Sequence, residues 1–308
     1  MHRETLTTFW HGEPLNAYQL LCLRSFVDCG HHVVLFSYDP SLALPAWIER
    51  RDAAEILPPE RMLDHQSGRG PETFAAHVNL FRYSLLHRYG GWWIDLDVVS
   101  LKSDLPQDQF FFAASGERDF ASLGIVKFPS GHPLLAAAIE RAAASDVGLW
   151  AQSGSPLFTE LLRRHGLMQY CRPREEACPI PWFELEVLFD PSRAEEVRHR
   201  CAGSYALDLH HECWRGAGIP HRLAVPKGSF IDLLAQQHDC GLQFAARMDY
   251  VDVACWIKLL RDSIGLDVRL RLVETSHHEC EARCAALEHE RNALLAGNRA
   301  RGHSAAEI

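Results

Sequence analysis

The 308-residue sequence has no C-x-x-C, no extended Lys/Arg block, no adjacent pair of aspartates and no long apolar run. Each absence excludes something. The ten cysteines, at 22, 29, 171, 178, 201, 213, 240, 255, 280 and 284, lack the paired spacing of a zinc module. They are expected to be reduced, mostly buried thiols of a cytoplasmic protein. Lys and Arg total 31 and Asp and Glu 40, so the net charge is 31 − 40 = −9. That balance argues against a nucleic-acid partner held through its phosphates. No segment approaches the about 18 apolar residues of a membrane span. The opening MHRETLTTFW has no apolar signal core. The expectation is a cytoplasmic protein without a transmembrane segment, compatible with peripheral docking on the inner face of a membrane.

What is present is ordinary globular composition, 47% hydrophobic and 23% charged. LTTFW (6–10) suits a first strand. LNAYQLLCLRSFVDCG (15–30) has helical apolar spacing and a glycine stop, and HVVLFSYD (32–39) reads as a buried strand. This β-α-β opening points to a parallel sheet with helices on its faces. Residues 39–64 carry prolines and read as loop and short elements. PETFAAHVNLFRYSLLHRYGG (71–91) is the clearest helix, stopped by Gly90 and Gly91. Phe74, Val78, Phe81, Leu85 and Leu86 form its apolar stripe, and Asn79 and Arg82 share another face. WWIDLDVV (92–99), FFFAAS (110–115) and LGIVKF (123–128) read as strands, and a further strand starts at Tyr205. Residues 132–145 and 153–166 read as helices. From 266 to 308 the chain turns polar and charge-mixed, which suggests a solvated helical tail, partly disordered, after a domain at 1–265.

Asp95 and Asp97 stand one residue apart in WWIDLDVV. Alternation along a strand would point both the same way as Trp93, with Ile94, Leu96 and Val98 facing the core. Ligands of parallel α/β sheets bind outside the carboxyl ends of strands. Two hard oxygen donors there suit Mg²⁺ or Mn²⁺, completed by water and phosphate oxygens of a substrate. An isolated D-x-D also occurs by chance, as a strand cap paired to a nearby Arg.

The block FRYSLLHRYGGWWIDLDVV (81–99) resembles the core of the glycosyltransferase family 32 type, the DXD-containing sugar-binding-region proteins. FWHG (9–12), IVKFPSGHPLL (125–135), GSPLFTELLRRHGL (154–167) and the segments 205–214 and 218–230 resemble further motifs of that family, in order. The resemblance spans residues 6–235. It implies a GT-A fold, a Rossmann-like mixed and mainly parallel sheet flanked by helices. It also implies retaining, Mn²⁺- or Mg²⁺-dependent transfer of a hexose or N-acetylhexosamine. The donor would be a nucleotide diphosphate sugar, a UDP-sugar first, and the acceptor a glycan or glycolipid. By position, Phe9 and Trp10 lie in the first strand, where Trp10 would stack on the base. Arg82 would face the diphosphate and sugar, and Trp93 would line the nucleotide pocket. Asp95 would contact ribose, sugar or metal, and Asp97 would ligate the metal. Three positions depart from the family: Asn79 where Asp is common, Ser122-Leu123 where Asn is common, and Asp208 and His210 where His and an aromatic residue are usual. Asn79 can bond a ribose or sugar hydroxyl, Asp208 can serve as a hard metal ligand, and His210 as a donor to the diphosphate. These changes also admit an inactive nucleotide-sugar or glycan-binding module of the same fold.

A haloacid-dehalogenase-type phosphohydrolase also carries D-x-D after a strand, but it needs a later acidic pair that this sequence lacks. HHEC occurs at 210–213 and 277–280 without a fourth zinc ligand nearby. Trp150, Trp182 and Trp214 could line an acceptor groove, although a core position suits each better. Glu117 and Asp119 read as loop residues or as acceptor contacts.

Overall fold

The structure is a computed structural model, and it describes residues 3–60, 71–115, 120–144, 153–239 and 244–265. The sequence readings for Glu117, Asp119, Trp150, the second HHEC and the 266–308 tail lie outside the described residues. The chain divides into two units, Met1–Ile257 and Lys258–Ile308.

The first unit is built on a five-stranded sheet in the order β3-β2-β1-β4-β6. Its strands are β1 (Thr5–Phe9), β2 (His32–Ser37), β3 (Glu49–Asp52), β4 (Gly91–Ile94) and β6 (Ile125–Phe128). Pairing is parallel except between β4 and β6. A two-stranded antiparallel sheet joins β5 (Val98–Ser100) to β7 (Ala206–Asp208). The helices are α1 (Ala17–Asp28), α2 (Pro71–Tyr89), α3 (Pro133–Ala144), α4 (Ser155–Arg164), α5 (Ala194–Cys201), α6 (His211–Ala217) and α7 (Phe230–Gln237). The fold class is therefore a mixed, mainly parallel α/β sheet flanked by helices.

Alternation along the buried strands divides the core. Val34 and Phe36 of β2, with Phe9 and Trp93, pack with α2, α3 and α4. Val33 and Leu35, with Leu6, Trp92 and Ile94, pack with Leu23 and Phe26 of α1 on the opposite face. Central parallel strands are buried on both faces, which is why they read as continuous apolar runs. Helix α1 starts on a capping box, with Asn16 Oδ1 accepting from the Gln19 N–H and Gln19 Oε1 accepting from the Asn16 N–H.

Three expected elements differ. The stretch WWIDLDVV is not one strand: β4 ends at Ile94, residues 95–97 turn, and β5 begins at Val98. The Val98 N–H reaches the Asp95 carbonyl at 3.3 Å across this turn. The two acids thus hang at the end of the sheet rather than inside a strand, which leaves them reachable by water. FFFAAS forms no strand, because its backbone divides among three partners: Phe111 with Lys127, Ala113 with Arg172 and Ala114 with Ala121. Strand β3, with the sequence ERRD, was hidden in the proline-rich region, since an exposed edge strand carries no apolar alternation.

The α2–β4 connection depends on Gly90, whose φ is +66°. A Cβ there would meet Ser130 N at 2.6 Å and Phe128 O at 3.1 Å, both backbone atoms. Gly90→Ala combines left-handed strain with a backbone clash, and is expected to lower stability by roughly 2–4 kcal/mol in urea unfolding. An unchanged midpoint would show that the turn relaxes freely.

Candidate active site

Strand β1 pairs with β2 on one side and β4 on the other, so the strand order reverses direction between β1 and β4. Such a switch point opens a crevice at the carboxyl ends of the two strands. Trp10 follows β1 and Asp95 follows β4.

Asp95 is the most tightly held group in this crevice. Its Oδ1 accepts from Arg82 Nη2 at 2.5 Å and from Trp93 Nε1 at 2.7 Å. The side chains of Arg82 and Asp95 are 4% and 29% exposed. The guanidinium carbon lies 5.0 Å from the centre of the Trp93 ring, a cation–π contact. Arg82 Nη1 donates to Asn79 Oδ1 at 2.7 Å, and Asn79 Nδ2 donates to Ser153 Oγ at 3.3 Å. Helical i, i+3 spacing brings Asn79 and Arg82 together. Burial raises the Asp95 carboxyl above its ordinary pKa, against the lowering effect of Arg82 and Trp93.

Asp97 and Asp208 have no guanidinium partner; the cation that faces them is the His210 ring, whose pKa, against the lowering effect of burial, is pushed up to about 10 with Asp208 as the main raising influence. Asp97 Oδ2 accepts from the His211 N–H at 3.1 Å, and its carbonyl accepts from the Leu209 N–H at 2.8 Å. Asp208 Oδ1 accepts from the His210 N–H at 2.8 Å and lies 3.3 Å from His210 Nδ1. Gly124 allows a close approach: a Cβ there would lie 3.3 Å from Val98 Cγ2 and 3.5 Å from Asp208 Oδ2. Its carbonyl accepts from the Asp95 N–H at 2.7 Å, so β6, Asp95 and Asp208 meet at this glycine. Burial, then the charges of Asp208 and Asp95, push the Asp97 carboxyl well above the usual carboxylate range, and His210 and the His211 N–H only partly oppose this.

The expected site residues distribute as follows. Trp10 is half-buried at the crevice, with Nε1 donating to the Glu13 carbonyl at 2.7 Å. Phe9 is core, with its ring centre 4.5 Å from that of Phe81. Trp93 is 1% exposed, so it supports Asp95 and Arg82 rather than offering a face to a nucleotide. Asn79 is buried with its amide turned to Arg82 and Ser153, not toward a sugar hydroxyl. Arg82 directs both terminal nitrogens to Asn79 and Asp95, and its buried Nε has no hydrogen-bond partner. Both His210 ring nitrogens face protein acceptors, Asp208 Oδ1 and the Ile180 carbonyl at 2.8 Å, so the ring is not free to bond a diphosphate. Trp214 is core, against Tyr18 and Phe189. Sequence reasoning missed Gly124 and the His211 N–H. The His211 N–H lies within the first HHEC, which was visible as a motif.

Among the described residues, no three His, Cys, Asp or Glu side chains form a metal-holding group. Of the three expected ligands, Asp95 has its Oδ1 bound to Arg82 and Trp93. Asp97 and Asp208 remain as a donor pair. Two carboxylates fit Mg²⁺ or Mn²⁺ when substrate phosphates and water complete the shell.

The sequence matches no family model. Among solved structures, the chain is similar to one described as "PaToxG Glycosyltransferase", at 10% identity and TM-score 0.42, over 53% of this chain and 69% of that one. Another, described as "Structure of Transferase", matches at 14% identity and TM-score 0.36, over 53% of this chain and 84% of that one. Likenesses this distant leave family and activity to be judged from the site.

That site makes two stability predictions. Arg82→Met leaves the partly exposed Asp95 without its counter-charge, and is expected to cost roughly 1–3 kcal/mol in urea unfolding. Adding Asp95→Asn should recover part of that loss; no recovery would show that the pair is not coupled. For Asp97, the raised folded pKa means that the folded chain keeps a proton the unfolded chain has lost. The stability this proton contributes is full below about pH 4 and is lost as pH rises through the folded value. In chelator, Asp97→Asn should therefore flatten the fall in thermal midpoint with rising pH. It should also raise stability near neutrality. A parallel pH profile in the variant would place the charge strain elsewhere.

Proposed function

We propose that the chain is a divalent-cation-dependent glycosyltransferase of GT-A type, moving a hexose or N-acetylhexosamine from a UDP-sugar to a hydroxyl of a glycan or glycolipid, with retention. The observation that carries this reading is that Asp97 and Asp208 stand close enough near the end of β4 for each charge to oppose the other, with the His210 ring on Asp208 balancing them only in part. The sequence resemblance over residues 6–235 points the same way. Asp97 and Asp208 would hold Mn²⁺ or Mg²⁺. When bound, the ion withdraws charge from the departing diphosphate.

The other roles belong to the chain itself. Trp10, at the end of β1, suits a planar base. Asp95 Oδ1 is bound to Arg82 and Trp93, which leaves Oδ2 for a ribose or sugar hydroxyl. Arg82 favours the ionised form of Asp95 against the effect of burial and holds it aimed. The sugar–phosphate bond breaks, the acceptor oxygen bonds the anomeric carbon from the same face, and the hydroxyl proton leaves with the diphosphate. No side chain stands out as a covalent nucleophile. Among the described residues, no helix is long and apolar enough to cross a membrane. An acceptor at the inner membrane face suits work in the cytoplasm.

Incubation with Mn²⁺ and a panel of nucleotide sugars tests this reading through nucleoside diphosphate release. One donor, UDP-linked, should be hydrolysed slowly. Chelator should abolish the signal, and Asp97→Ala should lower it by about 100-fold or more. Metal-dependent UDP binding without turnover of any donor or acceptor would make the chain a binding module. Absence of any nucleotide binding would sink the transferase reading.

A further inference from the structure

Among the described residues, His210 alone has a positive φ without being glycine, at φ 55° and ψ 49°. Left-handed backbone costs a side-chain-bearing residue about 1–2 kcal/mol, and such strain persists only where surrounding contacts hold it. The holding contacts are visible. His210 Nε2 lies 2.8 Å from the Ile180 carbonyl, with Cys178 Sγ at 3.9 Å. Nδ1 lies 3.3 Å from Asp208 Oδ1, and the ring is 11% exposed. A carbonyl and a carboxylate are both acceptors, so this geometry engages both ring nitrogens as donors.

The strained residue sits where three successive N–H groups separate. Leu209 donates to the Asp97 carbonyl, His210 to Asp208 Oδ1 and His211 to Asp97 Oδ2. Two of these N–H groups serve the chain's own carboxylates, and the third serves the Asp97 carbonyl. The ring anchors the turn to the segment at Ile180, thirty residues earlier in the chain.

We propose that His210 is a positioning residue: by pinning the 208–211 turn to the Ile180 carbonyl, it fixes Asp97 and Asp208 in the relative placement that a divalent cation and a diphosphate require. The ligand named here rests on the transferase reading, whereas the pinning of the turn does not. The ring acts through the carboxylates and touches no substrate.

Mn²⁺-dependent UDP binding by calorimetry, thermal midpoints and crystal structures of wild type, His210→Gly and His210→Asn test it. Glycine accepts the left-handed backbone, so His210→Gly should keep or raise the midpoint. Its Mn²⁺-dependent UDP affinity should nonetheless fall about 10–100-fold, the usual effect of losing a group that orients metal ligands. His210→Asn tolerates the same backbone and keeps a donor for Asp208, so it should restore part of the affinity. Wild-type affinity in His210→Gly would overturn the proposal. So would a joint fall of midpoint and affinity that His210→Asn does not reverse. If wild type binds no UDP with Mn²⁺, the transferase reading fails and the crystal structures decide the positioning role. Asp208 swung away from Gly124 in His210→Gly sustains it, and Asp208 unmoved overturns it.

Discussion

The Arg82–Asp95 pair is the contact on which the rest of the site depends. A carboxylate at the end of β4 is partly withdrawn from water, and withdrawal without a counter-charge is costly. The guanidinium meets that cost from the middle of α2, under the Trp93 ring and braced by Asn79. Once Asp95 is neutralised in place, the chain can turn at residues 95–97 and present a second acid without three unbalanced charges at one strand end. Removing Arg82 would therefore disturb more than one ion pair.

Asp97 and Asp208 then stand out by contrast. One acid of the three is satisfied by a guanidinium, and the other two share the single charge of the His210 ring, which faces Asp208. Their backbone supports are generous, with N–H groups from residues 209 to 211, but N–H dipoles do not cancel two charges. The fold accepts a local electrostatic penalty where the β4–β5 turn meets the end of β7. Sites that bind cations carry such a penalty in their empty form, because the ion supplies the missing term.

Legibility followed range. Helix α2, its Gly90 stop, β1, β2 and the D-x-D were readable because each rests on local spacing or on a glycine of special backbone geometry. The helix face shared by Asn79 and Arg82 was also readable, since i, i+3 neighbours are fixed by helical geometry. The break between β4 and β5 was not, because the apolar pattern runs through the turn unchanged. Burial of Trp93 was not readable either: an indole near a D-x-D serves equally as a ligand platform or as a brace, and only packing against α2 decides. The tie between His210 and Ile180 lies beyond any local pattern, and the expected role of His210 as a donor to a diphosphate meets a ring whose two nitrogens already face Asp208 and Ile180.

The Gly90 turn has a further consequence for how the site comes into being. Arg82 and Asp95 are 13 residues apart, while the His211 bond to Asp97 closes 114 residues. Loop-closure entropy makes the longer contact about 2 kcal/mol more expensive to form. A helix and the strand it feeds can assemble while the remainder of the chain is still unstructured. The acid that is neutralised internally is thus in place early, and the pair of like charges is brought together only when the distant turn docks. The contact that costs less chain entropy to close is thus the stabilising one, and the contact that brings like charges together costs more.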